Sequence, residues 1–274
     1  MDRCYSLPSN AIVGMVHLQP LPGSPRFAGD LDEVEAKAVQ DARILVAGGV
    51  DAIMVENFGD APFHATEVET VTVAAMTRIV SKLIDDVTSQ EGVQVGVNVL
   101  RNDASAALSI AAATGADFIR VNVHTGAMLT DQGSIEGKAA ETLRLRKRLG
   151  VDPGSEHAVG IFADVGVKHA SPLESDWTLE REAIDCWKRG LADALIVSGS
   201  GTGSGTSPDD LARVRTAVPD CNLLVGSGVD ESNIKVVSSV ADAMIVGSSL
   251  KPQGIDSPID LGAVNSLVES RNTL

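Results

Sequence analysis

An aspartate and a lysine stand four residues apart in Ala163-Asp164-Val-Gly-Val-Lys168-His169, directly after an apolar run. In extended chain Asp164, Gly166 and Lys168 share one face by the period of two. An acid beside a lysine is a natural proton-transfer pair, and a lysine of depressed pKa can instead form an imine with a carbonyl. An ion pair that merely fixes a strand end is the bland alternative. A second carboxylate, Glu56, closes the run Ile53-Met-Val55 and is followed by Asn57. Held among apolar residues, it needs a partner, a metal or a proton. His17 ends the run Ala11–Val16, with Gln19 and a Pro/Gly-rich loop behind it. A histidine so placed serves as acid, base or ligand. Asp164, Lys168, Glu56 and His17 are therefore the catalytic candidates. A divalent metal at Glu56 and His17 stays an open expectation, since no metal-ligand spacing is legible.

Cations and amides gather at the ends of the neighbouring runs. Arg101, in Asn98-Val-Leu-Arg101-Asn102-Asp103, suits a bidentate hold on an anionic group, whereas Asp103 reads as a helix cap. Arg120 and Asn122 lie in Phe118–His124; an inward Arg120 would pair with Glu56 or Asp164. The polar stretch 125–137, with Asp131 and Gln132, is a candidate lid. Gln19, Asn57, Asn98, Arg101, Asn102, Arg120, Asn122, Asp131 and His169 form the candidate substrate-binding set. Three glycine-rich runs complete the picture: Ser198–Ser207 (with Gly199, Thr202 and Gly203), Gly226-Ser227-Gly228 and Gly247-Ser248-Ser249. Glycine lets backbone N–H groups close on an anion, so these turns are the phosphate-binding candidates. Tight turns that need glycine for geometry are the alternative.

These residues need a scaffold that brings run ends together. Four segments resemble one another: Gly49–Val55, Gly115–Val121, Leu191–Val197 and Val240–Val246, each with Asp ahead of a short β-rich run. Between them lie Ala11–Val16, Val93–Leu100, Ala158–Val165 and Asn222–Val225, which makes eight strands. Helical periodicity separates them at Leu31–Ala47, Val68–Val87, Asp103–Thr114, Glu136–Leu149, Trp177–Arg189, Pro208–Val218, Glu231–Val240 and Asp260–Arg271. Asp30, Ser207 and Asp230 read as N-caps. Strict β–α alternation with continuously apolar strands means parallel strands buried on both faces. Eight units describe an α/β (β/α)8 TIM barrel, here one domain over 1–274 with a core of about 10–271, and an open doubly wound sheet is the runner-up. The reactive face is then the strand C-termini, where the polar candidates sit. The repeated Asp51, Asp117, Asp193 and Asp242 open their strands, fall at the opposite end and read as stabilising.

Composition narrows the function. The chain has 274 residues, 44 % hydrophobic and 22 % charged, ordinary for a globular protein. No apolar run reaches the ~18 residues of a membrane helix, and no basic start precedes an apolar stretch, so no signal peptide is expected. The net charge of −15 argues against nonspecific nucleic-acid binding. The 37 acids are 23 Asp and 14 Glu, and the 22 bases only 8 Lys and 14 Arg, a balance suited to a high-salt cytoplasm. Three scattered cysteines, Cys4, Cys186 and Cys221, fit a reducing compartment.

The motifs GMVHLQPLPGSP, ENFGDAPF, GVNVLRND, FIRVNVHTGAMLTDQGSIEG, ADVGVKHASPL, IVSGSGTG and VGSGV together resemble the BtpA family of SgcQ-like proteins, from about Ala11 to Asp260. The resemblance implies a TIM barrel and places family motifs on the residues singled out above, Gln132 included. It also implies, through the family's name, a role in photosystem I accumulation, although similar proteins occur in organisms without photosystems. It supplies no reaction. The residues point first to an enzyme on a small phosphorylated metabolite, a sugar phosphate or nucleoside-derived phosphate, by proton transfer next to a carbonyl or by aldol-type cleavage. A noncatalytic assembly factor and a transferase onto a phosphate-bearing acceptor are the alternatives. A homo-oligomer is a base-rate expectation for such barrels.

Overall fold

The apolar runs become strands because Val, Ile, Ala and Met alternate between an interior and a helix-covered face. The computed structural model describes residues 3–5, 7–88, 91–199 and 205–274. Eight parallel strands close the barrel: β1 (Ala11–His17), β2 (Ala52–Glu56), β3 (Gln94–Asn98), β4 (Phe118–Val121), β7 (Gly160–Val165), β9 (Ala194–Val197), β10 (Leu223–Val225) and β11 (Ala243–Val246). β11 pairs back onto β1, with Ala11 opposite Ala243. Helices α1 (Leu31–Ala47), α2 (Thr70–Leu83), α3 (Ala104–Thr114), α4 (Ala139–Leu149), α5 (Leu179–Ile184), α6 (Pro208–Ala217), α7 (Ile234–Val237) and α8 (Leu261–Asn272) alternate with them. The TIM barrel is the architecture of this chain.

Three local expectations need correction. Helix α7 has four residues instead of the ten from Glu231 to Val240. Its N-cap is Asn233, while Asp230 closes the turn before it by accepting from Ser232 N at 2.8 Å. The polar stretch 125–137 is structured: β5 (Ala127–Thr130) and β6 (Gly133–Glu136) form a hairpin, and β8 (Ala170–Pro172) adds a third strand beside β5. The fifth barrel strand stops at Val165, because Gly166 takes φ +62° and turns the chain. Asp30 and Ser207 do cap α1 and α6, accepting from Glu33 N and Asp210 N.

The period of two divides each strand between two cores. Val13, Met15, Met54, Phe118, Phe162, Ile196, Leu224 and Ile245 fill the barrel interior as a separate cluster. Phe118 and Phe162 stack there with centroids 4.5 Å apart. A larger cluster, including Ile53, Ile119, Ile161 and Leu195, lies between strands and helices. Two residues beyond the apolar interior layer, the same face carries His17, Glu56, Arg120, Asp164, Ser198, Gly226 and Gly247. Phase along the strand thus switches the interior from apolar to polar toward the mouth.

At the opposite end the four repeated aspartates act alike. Asp51 accepts from Ile12 N, Asp117 from Val95 N, Asp193 from Ile161 N and Asp242 from Leu223 N, at 2.7–2.9 Å. Each aspartate's own N–H returns a bond to the same residue's carbonyl. The aspartate opening every second strand therefore closes the ladder onto the strand before it. Arginines neutralise three of the four: Arg271 on Asp51, Arg146 on Asp193 and Arg215 on Asp242. Asp117 has no such partner among the described residues, and burial pushes its carboxyl above the usual range.

Candidate active site

Parallel register sets His17, Glu56, Asn98 and Arg120 side by side across β1 to β4. Asn98 Nδ2 donates to Glu56 Oε2 at 2.5 Å, and His17 Nε2 lies 3.8 Å from Glu56 Oε1. Arg120 points inward and grips Asp164 through Nε and Nη2, both at 3.0 Å. Asn122 Nδ2 adds a third bond to Asp164 at 2.7 Å. Asp164 is fully buried and accepts three hydrogen bonds on its two oxygens from Arg120 and Asn122. The inward Arg120 expectation holds, with Asp164 and not Glu56 as its hydrogen-bonded partner.

Lys168 does not form the expected pair with Asp164. The turn at Gly166 takes Lys168 off the strand, and Arg120 with Asn122 occupies the carboxylate. The Lys168 ammonium makes no hydrogen bond or ion pair among the described residues. Burial, then the nearby Arg120 guanidinium, holds its pKa below the ordinary lysine range. A lowered pKa favours the unprotonated amine, the form that attacks carbonyls or accepts protons. Arg101 Nη2 donates to Lys168 O at 2.7 Å and so fixes the turn that carries the amine. His17 is also driven toward neutrality: burial lowers its pKa to about 4 against the opposing pull of Glu56. Its ring lies 4.7 Å from the Phe58 ring, and its Nδ1 has no partner among the described residues. Asn122 Oδ1 is likewise buried and unpartnered among the described residues. His17, Glu56, Arg101, Arg120, Asn122 and Lys168 line one cavity of about 1160 Å³ at the mouth, whereas Asp164 and Asn98 are buried and do not line it.

The remaining candidates divide. Gln19, Asp131 and His169 line that cavity, although Gln19 Oε1 already accepts from Lys37 Nζ at 3.2 Å. Asn57 and Asn102 do not line it. Asn57 clamps the chain after β3, accepting from Leu100 N at 2.7 Å and donating to Asp60 at 3.0 Å. Asn102 exchanges two bonds with the Val123 backbone. We correct both from substrate contacts to positioning residues. Asp103 caps α3 through Ala106 N, as its place before the helix predicts.

The glycine-rich turns also stand apart from the described cavity; none of Gly226–Gly228 or Gly247–Ser249 lines it. Packing explains two glycines. A Cβ on Gly226 would collide with Ser198 Oγ, and one on Gly247 would come within 3.1 Å of His17 Cε1. Gly228 needs its φ of +70°. Side chains hold these turns from behind: Ser227 Oγ accepts from Gly199 N at 2.8 Å and Ser249 Oγ donates to Val229 O at 2.7 Å. The amides of Gly228, Ser248 and Ser249 meet no acceptor among the described residues. Thr202 and Gly203 lie outside those residues.

Two contributors escaped the sequence. Lys251, only 5 % exposed, lines the cavity with Nζ 3.1 Å from Ile255 O and 3.9 Å from Asp41. Its signal was its place five residues past the end of a barrel strand. Glu182, on α5, accepts from Gly166 N and Trp177 Nε1, both at 3.0 Å, and props the Lys168 turn from outside. Burial raises its carboxyl to about 7 against those two donors. Nothing in the local sequence marks it among the other helix glutamates. No group of three or more His, Cys, Asp or Glu gathers around a metal position among the described residues.

Residues 8–273 match the model of the BtpA family. The chain is 48 % identical over 262 residues to the photosystem I biogenesis protein BtpA of Synechocystis sp., covering 95 % of this chain and 88 % of that one. A Thermococcus kodakarensis protein is 45 % identical over 259 residues, 94 % of each chain. Among solved structures, phosphoribosyl anthranilate isomerase from Thermus thermophilus superposes with a TM-score of 0.55 at 11 % identity, over 96 % of this chain and 98 % of that one. KGPDC from Streptococcus mutans gives a TM-score of 0.57 at 14 % identity, over 98 % and 99 %. At such identities the likeness is one of fold.

Proposed function

The chain belongs to the BtpA family, and from that premise we propose that it is an enzyme acting at the barrel mouth on a small phosphorylated metabolite, a sugar phosphate or nucleoside-derived phosphate. The observation that carries this reading is the Lys168 ammonium. It is half-buried, depressed in pKa, bonded to no acceptor among the described residues, and open to the cavity. A fold that needed only a stable strand end would pair that amine.

In the reaction we favour, the Lys168 amine, in its unprotonated form, takes the proton on the carbon next to the substrate carbonyl. Alternatively it attacks that carbonyl, releasing water and leaving an imine that draws electrons from the adjacent C–C bond. Glu56 and the neutral His17 supply the second acid or base, and Arg101 steadies the developing oxyanion. Asp164, locked to Arg120, sets the field and moves no proton. The phosphate would rest on the amides of Gly228, Ser248 and Ser249, the usual barrel position after the last two strands. One fold neighbour is named as an isomerase of phosphoribosyl anthranilate, which supports the substrate class by analogy. Glu56 and His17 would be the metal ligands if a divalent ion took part.

The test is turnover of phosphorylated aldoses, ketoses and nucleoside-derived phosphates by wild-type and Lys168→Met protein. Turnover of one compound by wild type alone supports the reading; equal turnover by both removes Lys168 from the chemistry. A second reading, an assembly factor, draws on the name of the Synechocystis relative. The exposed Leu129 and Leu173, on one face of the small sheet, would be its docking point. No helix among the described residues is long and apolar enough to cross a membrane. We propose a high-salt cytoplasm as the setting, from the surplus of aspartate over lysine.

A further inference from the structure

The mouth cavity is larger than a sugar phosphate requires. Its 1160 Å³ exceeds the roughly 300–1,000 Å³ of sites for drug-sized ligands. The volume beyond the mouth is an arm between α1 and the segment 251–258. Val34 and Ala38 of α1 and Ile255 and Pro258 of the segment supply apolar walls. Gln40 and Asp256 stand at its exposed rim.

The arm is built, not a gap between loose loops. Lys251 is buried at its inner end, with Nζ on the Ile255 carbonyl and 3.9 Å from Asp41. Asp41 in turn accepts from Ile259 N at 3.5 Å. One lysine and one aspartate thus tie the segment to α1 and keep the arm open. The apolar walls exclude a second phosphate or a bare polyol as the main occupant. The polar rim of Gln40 and Asp256 beside those walls suits a group with a hydrogen-bonding edge better than a hydrocarbon chain. The walls carry cations and anions together, Lys37 and Lys251 with Asp41 and Asp256, so a strongly charged group has no preference for the arm. A flat neutral group with a hydrogen-bonding edge satisfies both constraints.

We propose that this arm is a second recognition site and that it takes a heterocyclic base, so the substrate is a nucleoside-type phosphate with its base between α1 and the segment 251–258. The proposal rests on the phosphorylated-metabolite reading of the mouth and narrows it. The base would supply binding energy away from the reacting carbon, holding the sugar against Lys168.

The test is calorimetric titration of the full chain with nucleoside monophosphates, the matching nucleosides, ribose 5-phosphate and inorganic phosphate. Two variants fill the arm from opposite sides at exposed residues, Gln40→Trp and Asp256→Trp. The expected result is a nucleotide that binds wild type at least tenfold tighter than ribose 5-phosphate does. In both variants that advantage disappears while ribose 5-phosphate affinity is unchanged. Ribose 5-phosphate binding as tightly as every nucleotide overturns the base site and leaves the phosphate reading standing. Variants that weaken both ligands equally also overturn it. Nucleoside binding that is sensitive to the variants but gains nothing from phosphate keeps the arm and removes the phosphate reading. No binding by any of them overturns both.

Discussion

At the lower end of the barrel Asp51, Asp117, Asp193 and Asp242 each accept a backbone N–H from the neighbouring strand, and three of them also meet an arginine. At the mouth Asp164 is equally satisfied, but around it stand His17 Nδ1, Asn122 Oδ1 and the Lys168 ammonium without partners among the described residues. Both ends carry buried charge. The lower end spreads it over a repeated pattern that closes on itself. The mouth leaves polar atoms unmatched beside a large cavity. Tyr5 OH, near Asp242 at the lower end, also lacks a partner among the described residues, so it is the gathering of unmatched groups beside a cavity, not their mere presence, that marks the mouth for a ligand. The difference separates carboxylates that hold a fold from those that serve a site.

The sharpest way to break this comparison is Asp193→Ala. It strands the buried Arg146 and the N–H groups of Cys4 and Ile161. Urea unfolding should show a loss of about 3–5 kcal/mol; a loss under about 1 kcal/mol would mean the lower carboxylates are ornamental. Lys168→Met should do the reverse. Turnover of the substrate should fall at least about 100-fold, while the unfolding midpoint stays at or above wild type because a desolvated cation is gone.

Glu182 ties the mouth to pH. Its carboxyl is raised to about 7, so between about 4.5 and 7 the folded state holds a proton that the unfolded chain has lost. This contribution is fully present below about 4.5 and disappears as pH rises through 7, a change on the order of 3 kcal/mol. Glu182→Gln should remove that slope from the stability–pH curve, and an unchanged curve would show that the group titrates normally. Gly228→Ala, at φ +70°, should cost about 1 kcal/mol in stability. It should also weaken phosphate binding if the turn cradles the anion; unchanged phosphate affinity would return this turn to plain geometry.

The barrel was legible because its signals are periodic. Four Asp-led strands and four apolar runs, spaced by helical stretches, leave little other topology, and the lower carboxylates followed from position alone. The mouth was legible as a set of residue types but not as pairs. Arg120 facing inward follows from strand phase, yet its partner depended on where the strand ended. A glycine at 166 in positive φ moved Lys168 away from Asp164. Asn57 and Asn102 look identical in sequence to Asn122, but they meet backbone and not the cavity, because loop paths follow no period. Lys251 and Glu182 come from segments far along the chain, and only tertiary packing brings them to the site.

The central claim is that the unmatched groups at the mouth await a phosphorylated ligand next to Lys168. Thermal unfolding in high KCl against a panel of sugar phosphates and nucleoside-derived phosphates tests it most directly, with wild-type, Arg101→Ala and Lys168→Met proteins side by side. The account predicts selective stabilisation of wild type by one phosphorylated compound, about 2.7 kcal/mol at a hundred times its Kd, and a smaller shift in both variants. No shift from any phosphate, or the same shift in all three proteins, would contradict it.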